Sequence, residues 1–377
     1  MQQSNYLLPR RSKIVVKIGT NLLADKTRGI DTGMIDSIAR SVSALRDSGN
    51  EVAIVSSGAI GAGVAAMRLR ERPRTIPEKQ ATAAVGQPLL MEAYERAFRR
   101  HSQQIAQLLL TKDDFSDRAR YVNARNTFAS LFEKGVVPVI NENDTVAVEE
   151  IKLGDNDNLS AMVAGLIDAS MLVILSDVDG LYTADPAHDR SAELIRVVEK
   201  ITPLVERYAK KTGSELSTGG MATKVQAARR CVASGIAVII TNGKKSGAIE
   251  RALSGSADGT IFLPAEKRLS KRKQWIGFVS HTKGALVIDD GAKNALLRKN
   301  KSLLPSGITE IRGNFGARDI VSILDAAGTQ VGKGITSYSS AELSKIKGRK
   351  STEIESLLHR KAPAEVIHRD NLAPTGE

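Results

Sequence analysis

Residues 14–18 have the sequence Ile-Val-Val-Lys-Ile, and this short β-branched run, closed by Gly19, predicts a buried strand. Apolar residues at helical spacing follow over 34–48, and a second strand-like run, Glu-Val-Ala-Ile-Val, occupies 51–55. Continuous apolar strands between amphipathic helices are typical of a mainly parallel sheet covered on both faces. This stretch therefore predicts an α/β fold.

The same alternation continues as far as residue 240. Further strands are predicted at 105–110, 136–140, 171–175 and 237–240, and further helices at 123–133, 159–167 and 219–234. After a polar, basic stretch the pattern changes to short apolar runs that are separated by tight turns, which indicates a small, mostly β second domain. We predict a catalytic domain at 1–263, a linker at 264–273, the second domain at 274–360 and a C-terminal tail at 361–377.

The composition limits the function classes. Cys231 is the only cysteine, which excludes an intrachain disulfide and a zinc site built from cysteines. No run of about 18 apolar residues exists, and the N-terminus has no signal-peptide core, so we expect a soluble cytoplasmic protein with no membrane association.

The net charge of +12 is concentrated towards the C-terminus. Residues 264–377 contain 20 basic and 12 acidic residues and so carry +8 of it. Such a region favours an anionic partner, RNA among them, but a solvated basic surface accounts for the charge equally well.

Two polar clusters are predicted to lie near the ends of strands. Residues 155–158 are Asp-Asn-Asp-Asn, and residues 141–144 are Asn-Glu-Asn-Asp. Asp157 or Asn158 could simply cap the helix that follows. Capping does not require four polar residues in succession, however, and ligands of open α/β sheets bind beyond the carboxyl ends of the strands. We therefore favour a ligand site.

A third segment, Thr218–Lys224, has the sequence TGGMATK. It could be a glycine hinge, but free N–H groups at a helix start attract phosphate and glycines allow its close approach. Lys17 lies within an apolar strand, where an ammonium is costly without a partner. It could extend into water from the strand end, yet a role at phosphate oxygens fits better.

Taken together, six segments resemble the glutamate 5-kinase (γ-glutamyl kinase) family of the amino acid kinase superfamily. They are 17–20 (KIGT), 56–60 (SSGAI), 139–144 (VINEND), 154–160 (GDNDNLS), 180–186 (GLYTADP) and 218–224 (TGGMATK). Single motifs are shared with aspartate and uridylate kinases, but the full set in this order is specific. The region after residue 273 resembles the pseudouridine synthase and archaeosine transglycosylase (PUA) domain.

The resemblance implies ATP-dependent phosphorylation of the side-chain carboxylate of L-glutamate to L-glutamyl 5-phosphate, the first step of proline biosynthesis. It also implies Mg²⁺ that accompanies ATP rather than a metal held by protein side chains, and feedback inhibition by proline. We further expect a homo-oligomer, dimer or tetramer, and leave open both RNA binding and direct transfer of the product to glutamyl phosphate reductase.

The resemblance also implies roles for single residues. Lys17, Lys224 and Asp157 would be catalytic, with Asp157 orienting the two lysines, and Ser57, Asp144 and Asn156 would bind glutamate. The ATP pocket would comprise Lys17, Ser176, Asp177, Thr218, Gly219, Gly220, Met221, Ala222, Thr223 and Lys224. No general base is needed, because the attacking carboxylate is already ionised at neutral pH.

Two alternative functions remain at this stage. The first is another amino acid kinase that acts on aspartate or on a nucleotide. The second is an RNA-binding protein whose kinase-like half is inert.

Overall fold

The computed structural model describes residues 11–23, 29–146, 156–211, 220–255, 259–265, 271–278 and 282–374. The chain forms two compact units, Met1–Lys267 and Arg268–Glu377. Among the described residues, none of the helices combines the length and the apolar character needed to cross a bilayer.

The first unit is built on an eight-stranded sheet with the order β3-β4-β2-β1-β5-β7-β8-β6. Its strands are β1 (Lys13–Ile18), β2 (Glu51–Ser56), β3 (Gln104–Leu110), β4 (Val136–Glu142), β5 (Met171–Ser176), β6 (Val197–Val198), β7 (Ala237–Asn242) and β8 (Gly259–Phe262). All neighbouring strands are parallel except the antiparallel pair β7 and β8. The prediction of a mainly parallel sheet is confirmed.

Helices cover both faces of this sheet. They are α1 (Thr20–Leu23), α2 (Thr32–Asp47), α3 (Ala59–Ala66), α4 (Ile76–Arg99), α5 (Lys112–Ser116), α6 (Arg118–Glu133), α7 (Asn156–Leu166), α8 (Pro203–Lys211), α9 (Met221–Ala233) and α10 (Ala248–Leu253). All six residues of the central strand β5 are buried. Since successive side chains of a strand point to opposite faces, this burial requires a covering layer on each side.

Helix α7 begins earlier than the sequence pattern predicts. The expected start was Leu159, but the helix starts at Asn156, so the polar residues 156–158 form its first turn. All eleven residues of α7 are buried. Polar side chains can occupy this buried turn because they meet hydrogen-bond and charge partners there.

The second unit contains a five-stranded sheet with the order β10-β9-β11-β12-β13. Its elements are α11 (Lys271–Phe278), β9 (Ala285–Ile288), α12 (Asp290–Leu297), β10 (Ile308–Arg312), β11 (Ile320–Leu324), β12 (Gln330–Ile335), α13 (Ser340–Ile346), α14 (Ile354–Leu358) and β13 (Leu372–Pro374). We predicted a small, mostly β second domain, and a five-stranded sheet is indeed the centre of this unit.

Two details of this unit differ from the predicted limits. The segment 361–377, expected to be a tail, contributes β13, which pairs antiparallel with β12 and buries Leu372 and Ala373. Helix α11 starts at Lys271, inside the predicted linker 264–273. Both segments are too short to show a clear periodicity, and their structure depends on tertiary packing that a local pattern does not contain.

Candidate active site

The carboxyl ends of the parallel strands bring distant segments of the chain to one edge of the sheet. Lys17 is next to the last residue of β1, and Ser57 follows β2. Asn141 is next to the last residue of β4, and Ser176 ends β5. Ligands of open α/β sheets bind at such an edge.

Two lysines share one buried carboxylate at this edge. The Nζ of Lys17 lies 2.5 Å from Asp157 Oδ1, and the Nζ of Lys224 lies 3.2 Å from Asp157 Oδ2. The lysines are each 5% exposed and Asp157 is 1% exposed. The triad carries a net charge of +1 in a buried setting, which an anionic ligand would neutralise.

The charges of this triad shift the pKa values of Asp157 and Lys224. Burial alone would raise the pKa of Asp157, but the ammonium groups of Lys17 and Lys224 outweigh it and lower the pKa. Burial, helped by the positive charge of Lys17, lowers the pKa of Lys224 in spite of Asp157. The carboxylate thus stays ionised and holds both cations at its two oxygens.

Helix α9 presents its N-terminus to the same triad. Gly220 is its N-cap, and the single hydroxyl proton of Thr223 is shared between two acceptors, Asp157 Oδ2 at 2.7 Å and the Gly220 carbonyl at 2.8 Å. Met221 and Ala222 form the first turn with Thr223, whereas the predicted residues Thr218 and Gly219 lie outside the described residues. Free N–H groups at a helix start and an adjacent cation suit phosphate.

The end of β5 adds an acidic group to this region. The Ser176 hydroxyl donates to Asp177 Oδ1 at 3.3 Å, and Asn21 Nδ2 donates to Asp177 Oδ2 at 2.8 Å. Burial would raise the pKa of Asp177, but the hydrogen bond from Asn21 and the charge of Lys224 contribute to lowering it. Asp177 is therefore an ionised carboxylate that faces the lysine side of the site.

Asn156, the residue before Asp157, lies at the centre of a second cluster of hydrogen-bonded polar groups. Its Nδ2 lies 2.9 Å from the Ser56 carbonyl oxygen and from Ser57 Oγ and 3.0 Å from Asn141 Oδ1, so its two N–H groups are shared among three acceptors. These bonds fix which way the amide faces. Among the described residues, its buried Oδ1 has no hydrogen-bond partner. An orphaned buried acceptor is costly unless a ligand supplies a donor.

Asp144 lies two residues beyond the end of β4 and is half-buried. Its burial and the nearby charge of Glu142 raise the pKa of Asp144 to about 7. A carboxyl group in this state gains most from a cationic ligand group, because a positive charge nearby restores the ionised form.

The structure thus brings together two groups of the predicted site residues. Lys17, Asp157, Thr223 and Lys224 meet around one carboxylate, and Ser57 meets Asn156. The two groups adjoin because Asn156 and Asp157 are consecutive in the first turn of α7. Among the described residues, Asp144 forms no hydrogen bond or ion pair with either group and is linked to them only by its position after β4.

Sequence reasoning missed two supporting residues. Gln87 of α4 accepts a hydrogen bond from Asn141 Nδ2 at 2.9 Å, and Asn21 of α1 bonds Asp177. Neither residue lies in a polar cluster or near a glycine-rich stretch, so the sequence contained no local signal for them.

The groups at this site can be compared with those that a triphosphate requires. Two ammonium groups and a helix start suit the oxygens of a triphosphate. No cluster of three or more His, Cys, Asp or Glu side chains within the described part of the chain could hold a metal ion by itself.

Comparison with known proteins defines the class of protein to which this chain belongs. The family model described as "Amino acid kinase family" matches residues 12–242, and a PUA domain model matches residues 284–358. The chain belongs to the amino acid kinase family.

Relatives that align over nearly the full length of the chain assign it to one branch of that family. The chain is 49% identical to the glutamate 5-kinase of Geobacter sp. (strain M21), with 97% of this chain and 98% of the relative covered. It is 47% identical to the glutamate 5-kinase of Moorella thermoacetica, with 98% of each chain covered. These identities place it with the glutamate 5-kinases, as the sequence motifs predicted.

Among solved structures, the carbamate kinase from Giardia lamblia bound to AMP-PNP is similar at 17% identity and a TM-score of 0.49. The match covers 67% of this chain and 99% of that chain.

Proposed function

We propose that this protein transfers the γ-phosphoryl group of ATP to the side-chain carboxylate of L-glutamate and releases L-glutamyl 5-phosphate and ADP. The observation that carries the proposal is the pair of buried ammonium groups on Asp157, directly beside the Asn156 cluster. The family membership supports the reaction class, and the names of the full-length relatives support glutamate as the acceptor.

The reaction brings two anions together, so positive charge has to offset their repulsion. A glutamate carboxylate oxygen attacks the γ-phosphorus, and the bond from that phosphorus to the β,γ-bridging oxygen breaks. ADP leaves with the electron pair. Lys17 and Lys224 are proposed to bind the phosphate oxygens and to stabilise the charge of the transferring group. No proton has to be removed, because the nucleophile is already ionised.

The nucleotide is proposed to occupy the start of α9 and the end of β5. Gly220, Met221, Ala222 and Thr223 would present backbone N–H groups, and Ser176 and Asp177 would line the opposite wall. Thr218 and Gly219 are also proposed to line the nucleotide pocket. Mg²⁺ is proposed to enter with the triphosphate and to offset part of its charge.

The amino-acid substrate is proposed to bind at the Asn156 cluster. Asn156 Oδ1, which has no hydrogen-bond partner among the described residues, and the carboxyl of Asp144 are acceptors that suit an α-ammonium. Ser57 Oγ can donate to a substrate carboxylate. Inhibition by proline, assembly into a dimer or tetramer, a cytoplasmic location and transfer of the product to a reductase are further parts of the proposal.

The test is an ADP-release assay with purified protein, ATP and Mg²⁺. L-Glutamate, L-aspartate and uridylate are offered separately, and hydroxylamine traps an acyl phosphate as a hydroxamate. We expect ADP and hydroxamate to form together with glutamate only. ADP release with uridylate, or no turnover with glutamate, contradicts the proposal.

A further inference from the structure

Helix α4 reaches the amino-acid end of the site with two buried polar side chains. Gln87 is 9% exposed and Tyr94 is fully buried. The residues are seven positions apart, so they lie on the same face of the helix. Polar groups on a buried helix face are costly unless they form hydrogen bonds, and both of these do.

Each side chain bonds a group that in turn holds Asn156. Gln87 Oε1 accepts from Asn141 Nδ2 at 2.9 Å, and Asn141 Oδ1 accepts from Asn156 Nδ2 at 3.0 Å. Tyr94 Oη and Ser56 Oγ lie 2.9 Å apart, and the Ser56 carbonyl accepts from Asn156 Nδ2 at 2.9 Å. The Asn156 amide is therefore connected to α4 by two routes, through the side chain of Asn141 and through Ser56, whose hydroxyl contacts Tyr94 and whose carbonyl accepts from Asn156.

The direction of these bonds has a chemical consequence. The backbone N–H of Glu142 donates to Asn141 Oδ1 at 2.9 Å, so Asn141 directs its oxygen towards Asn156 and its NH₂ group towards α4, where Gln87 Oε1 accepts it. Asn156 directs its own NH₂ group towards Asn141 Oδ1 and the Ser56 carbonyl, which leaves Oδ1 without a hydrogen-bond partner in the part of the chain that the structure describes. Reversing Asn156 would set its Oδ1 against two acceptors, the Ser56 carbonyl and Asn141 Oδ1, and would present an NH₂ group where the ligand's donor is to bind.

We propose that Gln87 and Tyr94 are positioning residues that set the orientation of Asn156 and thereby the affinity for the amino-acid substrate. Neither residue touches the phosphate triad in the described structure. The inference rests on the proposed function, since it assumes that Asn156 Oδ1 accepts a hydrogen bond from the substrate ammonium.

The experiment measures KM for glutamate, KM for ATP, kcat and melting temperature for four variants. Gln87→Leu removes the acceptor, Gln87→Glu keeps an acceptor at the same distance, and Tyr94→Phe removes only the hydroxyl. Gln104→Leu, at the exposed first position of β3, is the matched control.

For Gln87→Leu we expect KM for glutamate to rise about tenfold, with kcat and KM for ATP changed by less than about threefold, because one buried hydrogen bond is lost at the amino-acid end. Gln87→Glu should recover most of the affinity. Tyr94→Phe should show the same selective rise, of about threefold, and it tests the inference even if Gln87→Leu does not fold.

Other outcomes overturn the inference. A lower melting temperature with KM for glutamate unchanged assigns both residues to packing alone. A parallel loss in KM for ATP and kcat shows a general distortion of the site. If the wild-type protein does not phosphorylate glutamate at all, it is the proposed function that fails, which separates the two results.

Discussion

Asp144 illustrates how the position of one carboxyl group sets a pH dependence. Its pKa is raised to about 7 by burial and by the nearby Glu142. Below that pH the folded protein holds Asp144 in its neutral form, which attracts an ammonium weakly. Above that pH the carboxylate is present. Affinity for glutamate should therefore be fully developed above about pH 7 and should fall as the pH decreases through 7.

The measurement is kcat/KM for glutamate between about pH 5.5 and 8.5, which reports groups of the free enzyme. We expect an acidic limb with a midpoint near 7, absent in Asp144→Asn, whose kcat/KM is low throughout. KM for ATP, measured over the same range, is the control. A limb that persists in Asp144→Asn assigns the titration to another group.

Asp157 is expected to be essential for stability as well as for catalysis. The Asp157→Asn substitution leaves the ammonium groups of Lys17 and Lys224 buried without a counter-charge, so we expect unfolding to become easier by about 3–5 kcal/mol. Urea denaturation measures this difference. Glu92→Gln, which breaks an exposed pair with Arg96, should cost less than about 1 kcal/mol. Equal losses for the two variants would contradict the argument.

At the scale of the elements, the contact between α3 and α4 depends on two glycines. A Cβ on Gly63 would lie 1.9 Å from the Thr82 carbonyl oxygen, and one on Gly86 would lie 1.8 Å from the Ala59 carbonyl oxygen. Gly61, in the same helix as Gly63, has its nearest such neighbour at 3.8 Å.

This difference allows a matched pair of substitutions. Gly63→Ala should destabilise the protein by about 1–3 kcal/mol or more, because the helices must separate. Gly61→Ala should be neutral or stabilising by about 0.5–1 kcal/mol, because alanine favours a helix. Thermal or urea unfolding measures the stability of each variant. A similar effect of both substitutions would show that α3 and α4 are not closely packed.

The same elements show what could be predicted from the sequence and why. Strands such as β1 and β5 were predictable because burial on both faces leaves an uninterrupted apolar run. Helix α4 was not predicted, although it is 24 residues long, because Gly86 and Pro88 lie in its middle and its apolar periodicity is weak. Its stability comes from tertiary packing, which a local pattern does not contain.

The candidate site was predictable to the extent that its residues are adjacent in the chain. Asn156 and Asp157 were found because they are part of one polar run, and Lys17 because an ammonium in an apolar strand is unusual. Gln87 was not found, since its partner Asn141 is 54 residues away and the contact depends on how α4 crosses the sheet.

At the scale of the whole molecule, all predicted site residues belong to the first unit, Met1–Lys267. We expect a protein of residues 1–267 to keep kcat within about threefold of the full chain, because contacts at the site come from within that unit. The measurement is glutamate-dependent ADP release by the two proteins. Turnover that is lost from a folded 1–267 protein would show that the second unit contributes to catalysis.

The central claim is that Lys17 and Lys224 stabilise one transferring phosphoryl group beside an amino-acid pocket. Its most direct test is the single-turnover rate of phosphoryl transfer from ATP to glutamate in Lys224→Ala, with the exposed Lys210→Ala as control. We predict that the rate falls about 10²–10³-fold, because a charge aimed at the transition state is lost. The neutral pair of Lys17 and Asp157 remains, so the melting temperature should stay close to that of the wild type. A folded Lys224→Ala protein with a rate within about tenfold of the wild type would contradict the account.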